Sequence, residues 1–175
     1  MSDAQDQAAF QSRPDPGSGS DSSPITDHSS LFRWPIRVYW EDTDAGGIVY
    51  YANYLKFMER ARSEWLRAQG IEQGPLQREQ GIIFVVVSAE TQYLRPARYG
   101  ELLQVSCEVE KQTKASLTFK QDVTRTAEGS TEILVTGRVR VACLDAEKFR
   151  PRALPEDLLR TGREESVNAG EGNAR

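Results

Sequence analysis

Histidine is nearly absent from this sequence of 175 residues, since the only one is His28 in the N-terminal segment. A Ser-His-Asp triad, a Cys-His dyad and a histidine-based metal site each need a histidine among the folded residues. The two cysteines, Cys107 and Cys143, have no metal-ligand spacing and form no CxxC motif. Each falls on the apolar side of an alternating pattern, so we expect two buried free thiols and no metal site.

Long apolar runs and phosphate-binding motifs are also missing. No run approaches the ~20 apolar residues that a membrane helix needs, and the longest one covers only 81–87. Neither GxxxxGK[ST] nor GxGxxG occurs. Residues 1–30 lack the basic start and apolar stretch of a signal peptide. We therefore expect a cytoplasmic protein without an integral membrane segment.

Large apolar residues are scarce at both ends of the chain. Residues 1–30 hold eight Ser and three Pro, and 161–175 are rich in Gly, Asn and Glu, so both are predicted to be disordered tails around a domain at 31–160. The net charge is −4, but one Arg against five Asp in 1–30 and two Arg against three Glu in 161–175 leave +1 on the domain. A nearly neutral domain argues against nucleic acid as a partner.

The sequence does contain a clear change of apolar period. Between Asn53 and Gly70 apolar residues recur every three or four positions, which predicts one helix of roughly sixteen residues with Asn53 as its N-cap. A polar loop is predicted at 72–80. Alternating patterns predict strands near 31–40, 82–95, 103–109, 117–124 and 133–143. The apolar run 82–87 is typical of a strand covered on both faces.

The order of these elements predicts the fold class. Short connections between consecutive strands favour antiparallel neighbours. The expected fold is therefore α+β, with one long helix packed on a five-stranded antiparallel sheet.

Two carboxylates precede a pair of glycines just before the predicted helix. Asp42 and Asp44 are followed by Gly46 and Gly47. The first amides of a helix have no internal partner, and the helix dipole makes that end positive. Such amides could stabilise an oxyanion while a carboxylate attacks a carbonyl or activates water, chemistry that suits a thioester better than an amide. The alternative is a loop whose Asp side chains only cap turns.

The stretch 37–67, with the sequence RVYWEDTDAGGIVYYANYLKFMERARSEWLR, resembles the signature of the 4-hydroxybenzoyl-CoA thioesterase-like hotdog superfamily. It is most similar to the Tol–Pal-associated acyl-CoA thioesterases of bacteria. The later segment FRPRALP at 149–155 is similar to the end of that subfamily. The resemblance covers roughly 33–160 and implies a hotdog fold, in which an antiparallel sheet wraps around a helix.

The resemblance implies hydrolysis of acyl-CoA to a free acid and CoA, with CoA as part of the substrate and no separate cofactor. Asp44 would be the catalytic carboxylate, and the main-chain amide of Tyr51 would be the oxyanion donor, at a position where many relatives have His. Lys111 and Lys114, in the turn after the third strand, would contact the CoA phosphates. The family forms homodimers, often paired into homotetramers, with the active site at the subunit boundary.

Two other functions remain open. A hotdog dehydratase would need a catalytic histidine, and His28 lies in a predicted tail. A non-catalytic protein that binds acyl-CoA or acyl carrier protein, as a scaffold linked to envelope machinery, would keep the fold without turnover. Release of thiol from acyl-CoA separates hydrolysis from binding.

Overall fold

The computed structural model describes residues 31–127, 129–156 and 158, so the predicted tails 1–30 and 161–175 lie outside the described residues. The elements in chain order are β1 (Phe32–Arg37), a short 3-10 helix (Trp40–Asp42), α1 (Asn53–Ala68), α2 (Gln73–Gln80), β2 (Ile82–Tyr93), β3 (Leu102–Gln112), β4 (Ser116–Ala127) and β5 (Ser130–Asp145). The fold of the described residues is α+β, as predicted, but α2 is a second helix where the sequence predicted a polar loop.

The five strands form a single antiparallel sheet in the order β1-β3-β4-β5-β2. Val123 of β4 pairs with Val105 of β3 on one side and with Val135 of β5 on the other. All three side chains are buried and belong to an apolar cluster beneath α1. The predicted five-stranded antiparallel sheet is confirmed.

The position of β2 corrects the expectation that consecutive strands are neighbours. β2 pairs with β5, from Ile82 opposite Asp145 to Tyr93 opposite Val135, whereas β3 pairs with β1 and β4. Residues 94–101 therefore cross the sheet from β2, at one edge, to β3, which lies next to the other edge strand, β1. Eight extended residues reach roughly 27 Å, and three strand spacings measure only about 14 Å, so a short connection suffices.

The predicted covering of 82–87 on both faces is wrong for the single chain. β2 lies at the edge of the sheet and has β5 as its only strand neighbour among the described residues. Val86 and Val87 are 49% and 54% exposed. The apolar run is therefore an open strand edge rather than a covered strand.

Helix α1 packs on the sheet through a face that repeats every three or four residues, as the period predicted. Asn53 is the first residue of the helix rather than its N-cap, which is Ala52. Its side-chain amide instead donates to the Asp42 carbonyl at 3.0 Å. Beneath the helix, a Cβ on Gly137 would lie 2.7 Å from the Met58 side chain, so this glycine lets the helix approach β5 closely. The buried helix residues are Asn53, Tyr54, Phe57, Met58, Ala61, Arg62, Trp65 and Leu66.

The second helix, α2, occupies the segment predicted to be a polar loop. Only Leu76 of its eight residues is buried, so the segment carries almost no apolar periodicity. Pro75 falls in the first turn, where a missing N–H costs no helical hydrogen bond. The helix ends at Gly81, whose φ of 62° is left-handed. Neither α1 nor α2 is long and apolar enough to cross a membrane.

The two cysteines lie in the apolar core formed by the second half of α1, α2 and the sheet. Cys107 and Cys143 are both buried and both free, as predicted. Burial raises the pKa of Cys107 to about 12, and the nearby Arg62 opposes that shift. The Cys107 thiol therefore stays protonated at neutral pH.

Candidate active site

Asp44 lies at the tip of a tight turn that joins the 3-10 helix to the start of α1. A bridge between Thr43 and Val49 closes the base of the turn. Across it, the Asp44 N–H donates to the Ile48 carbonyl at 3.0 Å, and the Gly47 N–H donates to the Asp44 carbonyl at 2.9 Å. These bonds fix the backbone that carries the Asp44 side chain.

The glycines of the turn control where the Asp44 carboxylate points. The Gly46 N–H donates to Asp44 Oδ1 at 2.8 Å, and a Cβ on Gly46 would lie only 3.0 Å from the same oxygen. Gly47 has a φ of 70°, which favours glycine. Asp44 is exposed, and its Oδ2 has no donor among the described residues. One oxygen is thus oriented by the backbone while the other remains available for chemistry.

Asp42 is buried and has a structural role. It is 5% exposed, and its Oδ2 accepts the Tyr39 N–H at 2.8 Å. Its carbonyl accepts the Tyr50 N–H at 2.9 Å and the Asn53 side-chain amide at 3.0 Å. Asp42 therefore ties the turn to the start of α1.

Two main-chain amides lie just before α1 without an acceptor in the described part of the chain. The Asn53 N–H donates to the Tyr50 carbonyl, but the N–H groups of Tyr51 and Ala52 have no acceptor among the described residues. The rings of Tyr50 and Tyr51 lie 4.7 Å apart. The pKa of Tyr50 is raised, chiefly by its hydrogen bond with Tyr51 and in part by the charge of Asp44. The Thr43–Val49 bridge and the bond from the Tyr50 N–H to the Asp42 carbonyl hold the Asp44 turn at the positive end of α1, where the Tyr51 amide also lies.

A trough of about 470 Å³ runs between α1 and the exposed edge of the sheet. Its residues come from α1, β2 and β5: Leu55, Lys56, Glu59, Arg60, Arg62, Val86, Ala89 and Val139. The trough therefore follows the helix from its first turn to Arg62. Tyr93 of β2 contacts the rings of Tyr51 and Tyr54 at the start of the helix.

The family of the chain is shown by its relatives. The family model described as the thioesterase superfamily matches residues 46–132. The acyl-CoA thioester hydrolase YbgC of Escherichia coli O6:H1 is 42% identical over 132 residues, which cover 75% of this chain and 96% of that protein. The chain belongs to the thioesterase superfamily. The acyl-CoA thioesterase YbgC of Haemophilus influenzae is also 42% identical, over 73% of this chain and 90% of that protein.

Solved structures of the superfamily share the fold of this member. A probable thioesterase from Bartonella henselae is 34% identical, with a TM-score of 0.66 over 72% of this chain and 100% of that one. A 4-hydroxybenzoyl-CoA thioesterase in complex with 4-hydroxybenzoyl-CoA gives a TM-score of 0.68 at 21% identity, over 74% of this chain and 96% of that one. The latter likeness is one of fold, and it agrees with the hotdog architecture that the sequence predicted.

In this member of the superfamily, the predicted CoA-binding lysines lie away from Asp44. The Val38 N–H donates to the Glu101 carbonyl at 2.9 Å, so the chain leading to the Asp44 turn lies beside the start of β3. Lys111 is exposed at the other end of β3, and Lys114 is exposed in the turn that follows. The start of β3 and Lys111 are roughly 30 Å apart along the strand. One chain therefore places the Asp44 turn and Tyr51 at the start of α1, whereas the two lysines lie at the far end of β3 and in the turn after it.

Arg62 is the functional candidate that the sequence analysis missed in this thioesterase-superfamily chain. It lies on the inward face of α1, is 8% exposed and lines the trough. Its Nη1 donates to Gln121 Oε1 at 2.7 Å. The available signal was a charged residue at a position where the helical period predicts an apolar one.

Proposed function

We propose that this chain hydrolyses acyl-CoA to a free carboxylic acid and CoA. The observation that carries the proposal is an exposed Asp44 carboxylate in a turn held at the start of α1, where the main-chain amide of Tyr51 has no acceptor among the described residues. The acyl-CoA thioester hydrolase activity named for the Escherichia coli relative supports the same reaction.

In the proposed reaction the thioester carbonyl accepts the Tyr51 N–H, which stabilises the negative charge that develops on oxygen. One such donor contributes roughly 10²–10³ in rate. Asp44 either attacks the carbonyl carbon, forming an anhydride that water then cleaves, or removes a proton from an attacking water. The C–S bond breaks in both routes, and the CoA thiolate takes up a proton. The oxygen of water ends in the product acid or, where water cleaves the anhydride at the Asp44 carbon, in the Asp44 carboxylate. No separate cofactor takes part.

We also propose that a second copy completes the site, as a homodimer or homotetramer. The two lysines proposed to contact the CoA phosphates, Lys111 and Lys114, are too far from Asp44 to serve the same substrate within one chain. The unpaired edge of β2, with the half-exposed Val87, supplies an apolar surface for a partner. Acyl carrier protein as a partner, the link to Tol–Pal machinery and the cytoplasmic location stay predictions.

The test is release of thiol from a panel of acyl-CoAs by the wild type and by Asp44→Asn. Because Asn can neither attack nor accept a proton from water, we expect a loss of at least about a hundred-fold in kcat. Glu41→Gln is the matched control, since it removes an exposed carboxylate from the same loop. Full activity in Asp44→Asn would refute the assignment. A wild type that binds acyl-CoA but releases no thiol would favour the non-catalytic binding protein.

The route of attack can be followed by single-turnover hydrolysis in water that carries ¹⁸O. In the anhydride route, water that attacks the acid carbon of the protein leaves label in the Asp44 carboxylate. In the general-base route all label goes to the product acid. Label found by mass spectrometry in the peptide that contains Asp44 would therefore identify an anhydride that water cleaves at the Asp44 carbon.

A further inference from the structure

Arg62 is a buried cation without a carboxylate partner. The helix brings it beneath the trough, where it is 8% exposed and its one hydrogen-bond partner among the described residues is Gln121. Glu59, one turn earlier, accepts from the Ser63 hydroxyl instead and forms no ion pair with Arg62. Burial lowers the pKa of Arg62, but a guanidinium remains charged at neutral pH. A buried charge of this kind is costly unless another group neutralises it.

Arg62 has N–H groups that no protein acceptor uses. In the described part of the chain, no fully buried side-chain nitrogen or oxygen lacks a hydrogen-bond partner. Because only Nη1 has a protein partner, the remaining guanidinium nitrogens are not fully enclosed by protein. Arg62 lines both the trough of about 470 Å³ and an adjoining cavity of about 90 Å³, together with Glu59 and Val86. It therefore combines unused donors with a position beside a space that a ligand can enter.

The charges around the trough favour an anion. Three cations, Lys56, Arg60 and Arg62, line it against the single carboxylate of Glu59. The remaining lining side chains are apolar, so an anion inside would be shielded from water and attracted more strongly than at an open surface. A planar guanidinium with free N–H groups matches a carboxylate particularly well.

We propose that Arg62 binds the far end of the acyl group, and that the preferred substrates are acyl-CoAs whose acyl group ends in a carboxylate. The proposal rests on the proposed thioesterase reaction, because it takes the Tyr51 amide as the point where the thioester lies. Arg62 is eleven residues further along the chain, roughly 16 Å along the helix. An extended acyl group held at Tyr51 would follow the trough, with apolar contacts to Leu55 and Ala89, and end near the guanidinium.

The test compares pairs of substrates with equal chain length and different ends: hexanoyl-CoA with adipoyl-CoA, octanoyl-CoA with suberoyl-CoA, and decanoyl-CoA with sebacoyl-CoA. In the wild type we expect kcat/KM to favour the carboxylate-ended member of at least one pair by about ten- to a hundred-fold. Arg62→Met should bring that ratio close to one, and Arg62→Lys should keep part of it. Arg67→Gln is the control, because this exposed arginine pairs with Glu64 and Glu72 outside the trough.

A second variant tests the role of Arg62 independently, in case Arg62→Met does not fold. Val86 is 49% exposed and lines the trough beside Arg62, so Val86→Glu places a carboxylate next to the guanidinium with little disturbance of the core. It should neutralise Arg62 and reverse the preference in favour of methyl-ended substrates. Equal or better turnover of methyl-ended substrates by the wild type in every pair would overturn the proposal, as would a preference that survives in both variants.

Binding measurements separate this proposal from the proposed function. Calorimetric titration of the Asp44→Asn protein with the same pairs reports recognition without turnover. If the wild type releases no thiol but Asp44→Asn binds the carboxylate-ended member more tightly, and Arg62→Met removes the difference, then the reaction is wrong and the role of Arg62 stands. If thiol is released but neither binding nor turnover depends on the acyl end, the role of Arg62 is wrong and the reaction stands.

Discussion

The hydrogen bond between Arg62 and Gln121 offers a direct test of the core beneath α1. Gln121 is fully buried on β4 and accepts from Arg62 Nη1 at 2.7 Å. Its amide nitrogen donates to the Met58 carbonyl at 3.0 Å and to the Ser106 carbonyl at 3.3 Å. Gln121→Met keeps a similar size and removes all three bonds, whereas Arg62→Met removes only the first.

The expected magnitudes follow from the number and kind of bonds lost. A hydrogen bond to a charged group contributes about 2 kcal/mol and a neutral one about 1 kcal/mol. Gln121→Met should therefore lower the free energy of unfolding by about 4 kcal/mol, and Arg62→Met by about 2 kcal/mol. The double variant loses the shared bond once, so it should also cost about 4 kcal/mol rather than the additive value of about 6 kcal/mol.

The assay is urea unfolding of the four proteins at one fixed protomer concentration, because any self-association would change the apparent stability. The coupling free energy should be about 2 kcal/mol. A parallel cycle of Gln121→Met with the exposed Arg67→Gln should be additive within about 0.5 kcal/mol. Additivity in the Arg62 cycle would mean that the two side chains do not interact, and the description of Arg62 as an oriented buried cation would fail.

Three further results are expected. Cys107, with its pKa raised by burial from 9.0 to about 12, contributes stability that is present below pH 9 and is lost as the pH rises toward 12. Above pH 9, the free energy of unfolding measured with urea should fall more steeply with pH for the wild type than for Cys107→Ala. The difference in slope should reach up to about 1.4 kcal/mol per pH unit. Gly46→Ala, whose Cβ would lie 3.0 Å from Asp44 Oδ1, should lower kcat at least about ten-fold with urea stability nearly unchanged. Lys111→Ala/Lys114→Ala should raise KM for acyl-CoA about ten-fold at low salt, less at high salt, with kcat retained.

Each of these has a clear contrary outcome. Parallel pH profiles for the wild type and Cys107→Ala would mean that the thiol titrates normally in the folded protein. Unchanged kinetics in Gly46→Ala would mean that the position of the Asp44 carboxylate is not critical. An unchanged KM in the double lysine variant would mean that these lysines do not contribute to CoA binding.

Local periodicity predicted the elements whose packing is regular. The apolar spacing between 53 and 70 located α1 because nearly every third or fourth side chain there is buried. Alternation located the strands for the corresponding reason. The pattern did not predict α2, because Leu76 is its only buried residue and its eight residues therefore resemble a polar loop. The sequence also did not predict that β2 pairs with β5, because tertiary packing rather than the length of a connection decides that pairing.

The candidate site was predictable where it depends on neighbouring residues and unpredictable where it depends on distant ones. Asp44, the glycines after it and the helix start at 53 lie close together in sequence, so their geometry follows from turn and helix chemistry. Arg62 is different, because a charged residue normally faces water. Its inward orientation depends on Gln121, a partner 59 positions further along the chain.

The pairing of β2 with β5 has a consequence for synthesis of the protein. β2 (Ile82–Tyr93) leaves the ribosome well before Ser130–Asp145, the last strand and its partner in the sheet. At about 5–20 residues per second, the apolar segment 82–87 must wait roughly 3 to 12 seconds for that partner. The sheet cannot be completed during translation until nearly the whole domain has emerged. Slower translation would therefore lengthen the time in which this segment can aggregate or needs protection by a chaperone.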